Sequence, residues 1–120
     1  MNTQNLKIYC VTNKEINFLK DNRYILSWVG EMKAPQNYIA CDNGENIYYK
    51  EKFYSELTFH YWYWKNVLPN EKRNQWVGFC QKRRFWTKEA SHEKINFENL
   101  GDYIIKEPLV DWSNYEAIIC

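Results

Sequence analysis

The sequence predicts an α/β domain in which strands alternate with helices. Three observations predict it. Short apolar runs of β-type composition recur at "LKIYCVT", "RYILSWVG" and "WVGFC". Between the second and third lies a segment with helical periodicity, Phe53 to Asn66. The first run also gives way at once to polar "NKE", and α/β sheets gather their ligands beyond such strand ends.

Leu6 to Thr12 reads as the first strand, and Arg23 to Gly30 as a second short strand or extended segment. Pro35 lies in a loop. Asn37 to Ile47 is a short apolar run and then a turn, for which Asp42, Asn43 and Gly44 supply the chemistry. In the helix, Phe53, Leu57, Tyr61 and Trp64 recur at i, i+4, i+8 and i+11 and make one face. Tyr54, Thr58 and Trp62 make an adjoining stripe, and Pro69 stops the helix. A helix aromatic on nearly every side is expected to be buried, with Tyr61 and Trp64 in the core. One of the other aromatics is left as a stacking surface for a base or sugar.

Trp76 to Cys80 reads as a buried strand running into the basic turn "QKRR". Asn96 to Asp102 offers a short helix or turn. Asn114 to Cys120 reads as another buried strand. A chain ending on an apolar strand carries the expectation of a half domain, incomplete at its C-terminus. The alternative is a terminal strand in a complete sheet.

With 120 residues, the chain is expected to form a single domain over 1–120. Hydrophobic residues make up 45% and aromatics 18%, with few glycines or prolines, which argues against disorder. A net charge of +1 provides no global field toward nucleic acid or anionic lipid. No apolar stretch approaches the roughly 20 residues that cross a bilayer. An interfacial helix stays open, because tryptophan and tyrosine favour that zone. Cys10, Cys41, Cys80 and Cys120 form no CxxC pair, and neither His60 nor His92 stands at zinc-finger spacing from a cysteine. The N-terminus "MNTQNLK" is polar from the start. The reading is reduced thiols in a cytoplasmic protein, with peripheral contact to the inner face of the membrane as an option. Cys10, Cys41 and Cys80 are read as small core residues.

Several residues invite a binding role. Thr12, Asn13 and Lys14 follow the first strand, where a nucleotide approaches an α/β sheet. Asp42, Glu45 and Asn46 cluster on a turn and could orient a ribose, a sugar or a metal, although turn formation alone also explains them. Arg83 and Arg84 follow a strand, and arginine's planar fork suits phosphate oxygens. A solvated turn is the plainer account of the same residues. Glu56 either pairs with one of these arginines or rests at the helix N-terminus. His60 is four residues on from Glu56 and could cap or hydrogen-bond it. Lys65 stands 180° from Glu56 around the helix, so the two do not pair.

Four stretches in order, "KIYCVTNKE", "DNGENI", "YSELTFHYWYWKNV" and "VGFCQKRRFW", resemble the bacterial DUF4422 family of glycosyltransferases from capsular and O-antigen polysaccharide clusters. That family opens on a strand like K-I-Y-V-V-T-H-K. It continues with an acidic-Gly-Asp-Asn-Ile-Ser turn, then E-L-T-x-x-Y-W-x-W-K-N, then G-L-C-H-Y-R-R-Y-F. Glu56, Leu57, Thr58, Tyr61, Trp62, Trp64, Lys65 and Asn66 match the third block at every fixed position. Gly78, Cys80, Arg83, Arg84 and Phe85 match the fourth. Asn13 and Gln81 stand where the family has histidines, Lys82 where it has tyrosine, and Tyr48 where it has serine. Asparagine and glutamine keep a hydrogen bond but cannot carry the proton.

The resemblance implies a Rossmann-like, GT-A-like nucleotide-sugar-binding half domain, since the match covers the family's N-terminal half. It implies sugar transfer, of hexosyltransferase type, from a nucleotide-diphosphate donor, a UDP-sugar first among them, to a glycan or lipid-linked acceptor. The donor-site residues it implies are Thr12, Asn13, Lys14, Asp42, Asn46, Glu56, Lys65, Gln81, Arg83 and Arg84. It singles out no catalytic residue. No D-x-D triplet occurs, so no metal ligand is assigned. Mn or Mg would enter only through a carboxylate motif beyond Cys120. The competing readings are a non-catalytic carbohydrate- or nucleic-acid-binding module and an inactive family member. Near-neutral charge weighs against nucleic acid.

Overall fold

The computed structural model describes residues 5–17, 24–71, 75–82, 84–87, 95–96 and 98–118. Three apolar runs form strands: β1 is Asn5–Thr12, β2 is Tyr24–Trp28 and β3 is Gln75–Gln81. They make one parallel sheet in the order β2-β1-β3. Ile8 lies opposite Tyr24 on one side and Gly78 on the other, while Thr12 meets Trp28 and Val11 meets Gln81. All three carboxyl ends therefore fall at the same end of the sheet. Three short helices follow the strands: α1 (Glu51–Tyr54), α2 (Leu57–Asn66) and α3 (Leu100–Tyr103). The protein is thus a small α/β fold, as expected.

Alternation along β1 sorts its side chains onto two faces. Tyr9 and Val11 pack with Phe59, Trp62 and Tyr63 of α2, together with Val29 and Cys41. Ile8 and Cys10 pack on the opposite face with Tyr24, Cys80, Leu100 and Ile104. A parallel sheet covered on both sides needs apolar residues at consecutive positions, and "IYCV" supplies them. Hydrogen bonds to backbone carbonyls hold the second layer in place. Trp86 Nε1 donates to the Phe79 carbonyl (2.9 Å), and Ile105 N–H donates to the Trp86 carbonyl (2.8 Å). The Tyr24 hydroxyl donates to the Ile105 carbonyl (2.9 Å). Cys10, Cys41 and Cys80 are free and buried, as expected of core thiols. Cys120 lies outside the described residues.

Four sequence expectations need correction. The helix expected over Phe53–Asn66 is broken. Ser55 takes φ 46 and ψ −121, which ends α1, and α2 restarts with Thr58 N–H donating to the Ser55 carbonyl. The buried face is also different. Phe53 is 83% exposed and Trp64 55%, while Phe59 is fully buried beside Thr58, Trp62 and Tyr63. With aromatics on every side of the helix, periodicity alone could not choose the face. Finally, no strand forms over residues 115–118. Val110–Asn114 is a 3-10 turn whose Trp112 packs on Trp76, with ring centroids 5.2 Å apart. Ala117 and Ile118 line a cleft of about 330 Å³ with Trp76 and Trp86 instead of extending the sheet. Of the strand expected to be buried over Trp76–Cys80, only Cys80 is, because β3 lies at an edge of the described sheet.

At the amino end of the sheet, Glu71 accepts hydrogen bonds from Tyr63 Oη (3.2 Å), Tyr9 Oη (3.4 Å) and Lys7 Nζ (3.3 Å). Lys7 is 44% exposed, so its ion pair adds little. The two phenols carry the link between β1, α2 and the segment entering β3. Burial first, and then the Glu71 charge, pushes Tyr9 from the ordinary 10.0 up to about 12 and raises Tyr63 as well. The folded state therefore keeps its phenol protons where the unfolded chain loses them. Stability is expected to be full below about pH 10 and to fall as pH rises toward about 12. Tyr9→Phe with Tyr63→Phe should flatten that slope in chemical denaturation, and an unchanged slope would contradict the node.

Thr58 Oγ1 is buried without a hydrogen-bond partner among the described residues. Thr58→Val is expected to leave stability unchanged or raise it by about 1 kcal/mol, since an unmade buried bond is removed. A clear loss in thermal melting would show that the hydroxyl has a partner.

Candidate functional site at the strand ends

The carboxyl ends of β1 and β3 are neighbours, and each runs into a tight turn. After β1, the Thr12 hydroxyl donates to the Lys14 carbonyl (2.7 Å) and accepts from Lys14 N–H (3.1 Å). This local turn buries Thr12 and leaves Asn13 and Lys14 exposed. After β3, Gln81 N–H donates to the Arg84 carbonyl (3.2 Å), and Arg84 N–H donates to the Gln81 carbonyl (3.1 Å). The bond pair closes a turn that lifts Lys82 toward β1. Lys82 Nζ donates to Asn13 Oδ1 at 2.6 Å, so the two strand ends are tied side chain to side chain.

Helix α2 brings a third element to the same place. Gln81 Nε2 donates to Glu56 Oε1 at 3.0 Å. Glu56 holds the N-cap position of α2 and makes no capping bond of its own. Its carboxylate therefore sits at the positive end of the helix dipole. One turn along, the His60 ring lies against Phe79 of β3, with centroids 4.4 Å apart. Burial lowers the His60 pKa, while the Glu56 charge opposes the change. The imidazole is thus neutral near neutral pH, with one nitrogen able to accept a proton.

Thr12, Asn13, Lys14, Glu56 and Gln81 from the sequence reading converge here. Arg84 is exposed at the foot of the turn, and Arg83 lies outside the described residues. Among the described residues Glu56 pairs with Gln81, which the Gln81–Arg84 turn places beside the helix end; of the two arginines expected as its partner, Arg83 lies outside the described residues. Asp42 and Asn46 are held elsewhere, on a turn flanking β2. Asn46 Oδ1 accepts from Tyr48 N–H (3.1 Å), Trp62 Nε1 donates to the Asn43 carbonyl (2.9 Å), and Asn66 Nδ2 donates to the Glu45 carbonyl (2.8 Å). Asn66 also crowds Gly44, whose φ is +60. Tyr48 donates to the Gly30 carbonyl and ties this turn back to the end of β2. Lys65 is on the far side of α2, with Nζ 3.8 Å from the Trp64 ring centroid.

Lys82 and His60 were not singled out for the site by sequence. Lys82 was overshadowed by the arginines after it. His60 carried a signal, its four-residue spacing from Glu56, but only the sheet shows that it packs on β3. The cleft beside Trp76 is lined by Leu6, Leu68 and Gln75 and lies toward the amino end of β3, away from this cluster. The cluster suits an anion better than a divalent cation. Glu56 bonds to Gln81 and Lys82 to Asn13, and no three His, Cys, Asp or Glu groups that could hold a metal converge among the described residues.

The pKa balance at His60 gives a direct check. Glu56→Gln removes the charge that opposes the effect of burial. The His60 pKa is expected to fall further in that variant, as followed by NMR titration of the ring protons. A rise or no change would mean that Glu56 does not face His60.

Comparison with curated proteins and with solved structures gives no match. A family profile described as "Domain of unknown function (DUF4422)" matches residues 7–119, from β1 through the strand-end turns to the last segment. The chain therefore belongs to the DUF4422 family.

Proposed function

We propose that the protein binds the diphosphate of a nucleotide sugar, a UDP-sugar first, at the carboxyl end of its sheet and takes part in glycosyl transfer to a surface polysaccharide. The observation that carries this reading is the convergence of Asn13, Gln81, Lys82 and Glu56 where β1, β3 and the N-terminus of α2 meet. Ligands of parallel α/β sheets bind beyond the strand ends, and a helix N-terminus favours negative charge. The family resemblance supplies the reaction class, a Rossmann-like, GT-A-like donor half. In this reading Lys14, Lys82 and Arg84 neutralise the diphosphate. Asn13 and Gln81 donate or accept hydrogen bonds that orient it. The acceptor is a glycan or a lipid-linked sugar. Free, buried cysteines fit a reducing cytoplasm. Among the described residues, no helix is long and apolar enough to cross a membrane.

One feature favours a second reading, binding without turnover. Asn13 and Gln81 stand where the resemblance places histidines, and neither carries a proton at neutral pH. Neutral His60 is then the only imidazole among the described residues near the cluster.

Calorimetric titration with UDP, UDP-galactose and a short single-stranded oligonucleotide tests the proposal. UDP is expected to bind with a Kd on the order of micromolar. Lys82→Ala and Arg84→Ala should each weaken it about tenfold, the scale of one charge-assisted phosphate contact. Oligonucleotide binding with a steep salt slope and no response to UDP would overturn it. Release of UDP from UDP-galactose separates transfer from binding alone.

A further inference from the structure

Two of the buried thiols face each other. Cys10 of β1 and Cys80 of β3 are direct partners in the parallel register, so their side chains leave the same face of the sheet. Both are free, and both belong to the cluster built with Ile8, Tyr24, Leu100 and Ile104. Cys80 shares a side-chain hydrogen bond with Cys10. This bond first, and then burial, holds the Cys80 proton well above the ordinary thiol range. Cys41 stands apart on the other face, where its thiol donates to the Trp28 carbonyl (3.2 Å).

Core packing asks only for small apolar side chains at these two places. It does not ask for two sulfurs in contact, and that contact has a chemistry of its own. A disulfide needs its Cα atoms about 4.4–6.8 Å apart, a window that contains the usual spacing of about 4.8 Å between neighbouring strands. Its Cβ atoms must also approach to about 3.8 Å, so closing the bond draws β1 and β3 together locally. Burial decides which sulfur reacts first. Cys10 is 0% exposed and Cys80 7%, so a small oxidant meets Cys80. A thiol that keeps its proton is a slow nucleophile, and the pair therefore answers to sustained oxidation.

We propose that Cys10 and Cys80 form a reversible disulfide under peroxide, an oxidative modification that shifts the adjoining strand ends. The Cys80 sulfur attacks one peroxide oxygen. The S–O bond forms, the O–O bond breaks, and the released hydroxide takes the thiol proton and leaves as water. The Cys10 sulfur then attacks the Cys80 sulfur. The S–S bond forms, the S–O bond breaks, and a second water carries off the Cys10 proton. The dithiol loses two electrons and the peroxide gains them. Gln81 directly follows Cys80, and Thr12 stands two positions beyond Cys10. The narrowing therefore reaches the two turns that carry Asn13 and Lys82. This chemistry goes beyond the donor-site reading and holds whether or not UDP binds, since neither thiol belongs to that cluster.

Peptide mapping of the full chain tests it. The reduced protein is held in hydrogen peroxide, unfolded in the presence of iodoacetamide and digested. The expected product is a Cys10 peptide linked to a Cys80 peptide, lighter by two hydrogens, which dithiothreitol returns to two free thiols. Cys41 is expected to be alkylated throughout. Backbone amide signals of Asn13, Gln81 and Lys82 should shift on oxidation and return on reduction. Cys10→Val keeps an apolar side chain in the cluster and should abolish both the linked peptide and those shifts. Alkylation of both Cys10 and Cys80 after peroxide would overturn the proposal, as would linkage of either to another cysteine. Cys80 sulfinic acid beside a free Cys10 would do the same. A disulfide that leaves the three amide signals unmoved would overturn the effect on the strand ends. The map is read on the unaltered chain, so it decides the matter even where Cys10→Val fails to fold.

Discussion

The fold depends on the burial of β1 between two parallel neighbours and under two layers. Ile8, Tyr9, Cys10 and Val11 are all almost fully buried, as a central strand covered on both faces requires. That central position sets everything else. It places the ends of β1 and β3 side by side, and it requires α2 to run back over the sheet against the strand direction. The helix therefore begins near Gln81 and finishes near Glu71, so one element connects both ends of the sheet.

Those two ends are built differently. At the amino end, the Glu71 carboxylate is 9% exposed and receives two phenols and a lysine, a closed arrangement that fixes α2 to β1. At the carboxyl end, Glu56 receives one amide among the described residues, and Asn13, Lys14 and Gln81 remain exposed. A saturated carboxylate under cover holds structure together. The exposed Asn13, Lys14 and Gln81 side chains at the strand ends are accessible to a ligand. The same physical groups thus divide into a fastening and a candidate site by how far their hydrogen-bonding capacity is used internally.

Much of this was legible in the sequence, for reasons that can be named. A doubly covered parallel strand reads as an unbroken apolar run, so "IYCV" announced β1, while "WVGFC" marked β3 but overstated its burial. The polar "TNK" after β1 marked a strand end, and the site rule for α/β sheets did the rest. The face of α2 was not legible, because hydropathy cannot rank Tyr61 and Trp64 against Trp62 and Tyr63. Contact with β1 decides it, and that contact is tertiary. Ser55 gave no warning of its positive φ. Asn66 matches the family block but serves the 43–46 turn, which no local pattern reveals. The apolar "AIIC" suggested a strand, yet Ala117 and Ile118 line the cleft beside Trp76 and Trp86 without forming one, Ala117 exposed and Ile118 half-buried. At the site, the Lys82–Asn13 bond spans 69 positions, a separation that only the parallel pairing of β1 with β3 closes.

The most direct test of the central claim is residue-level mapping of ligand contact. Backbone amide shifts of the isotopically labelled protein, followed by NMR as UDP is added, report where the nucleotide sits. The account predicts that Asn13, Lys14, Glu56, Gln81 and Lys82 move together along one saturable curve, while the Glu71 node and the 42–46 turn stay still. Shifts concentrated in the Trp76–Trp112 cleft or on the 42–46 turn, with the strand ends unmoved, would contradict it.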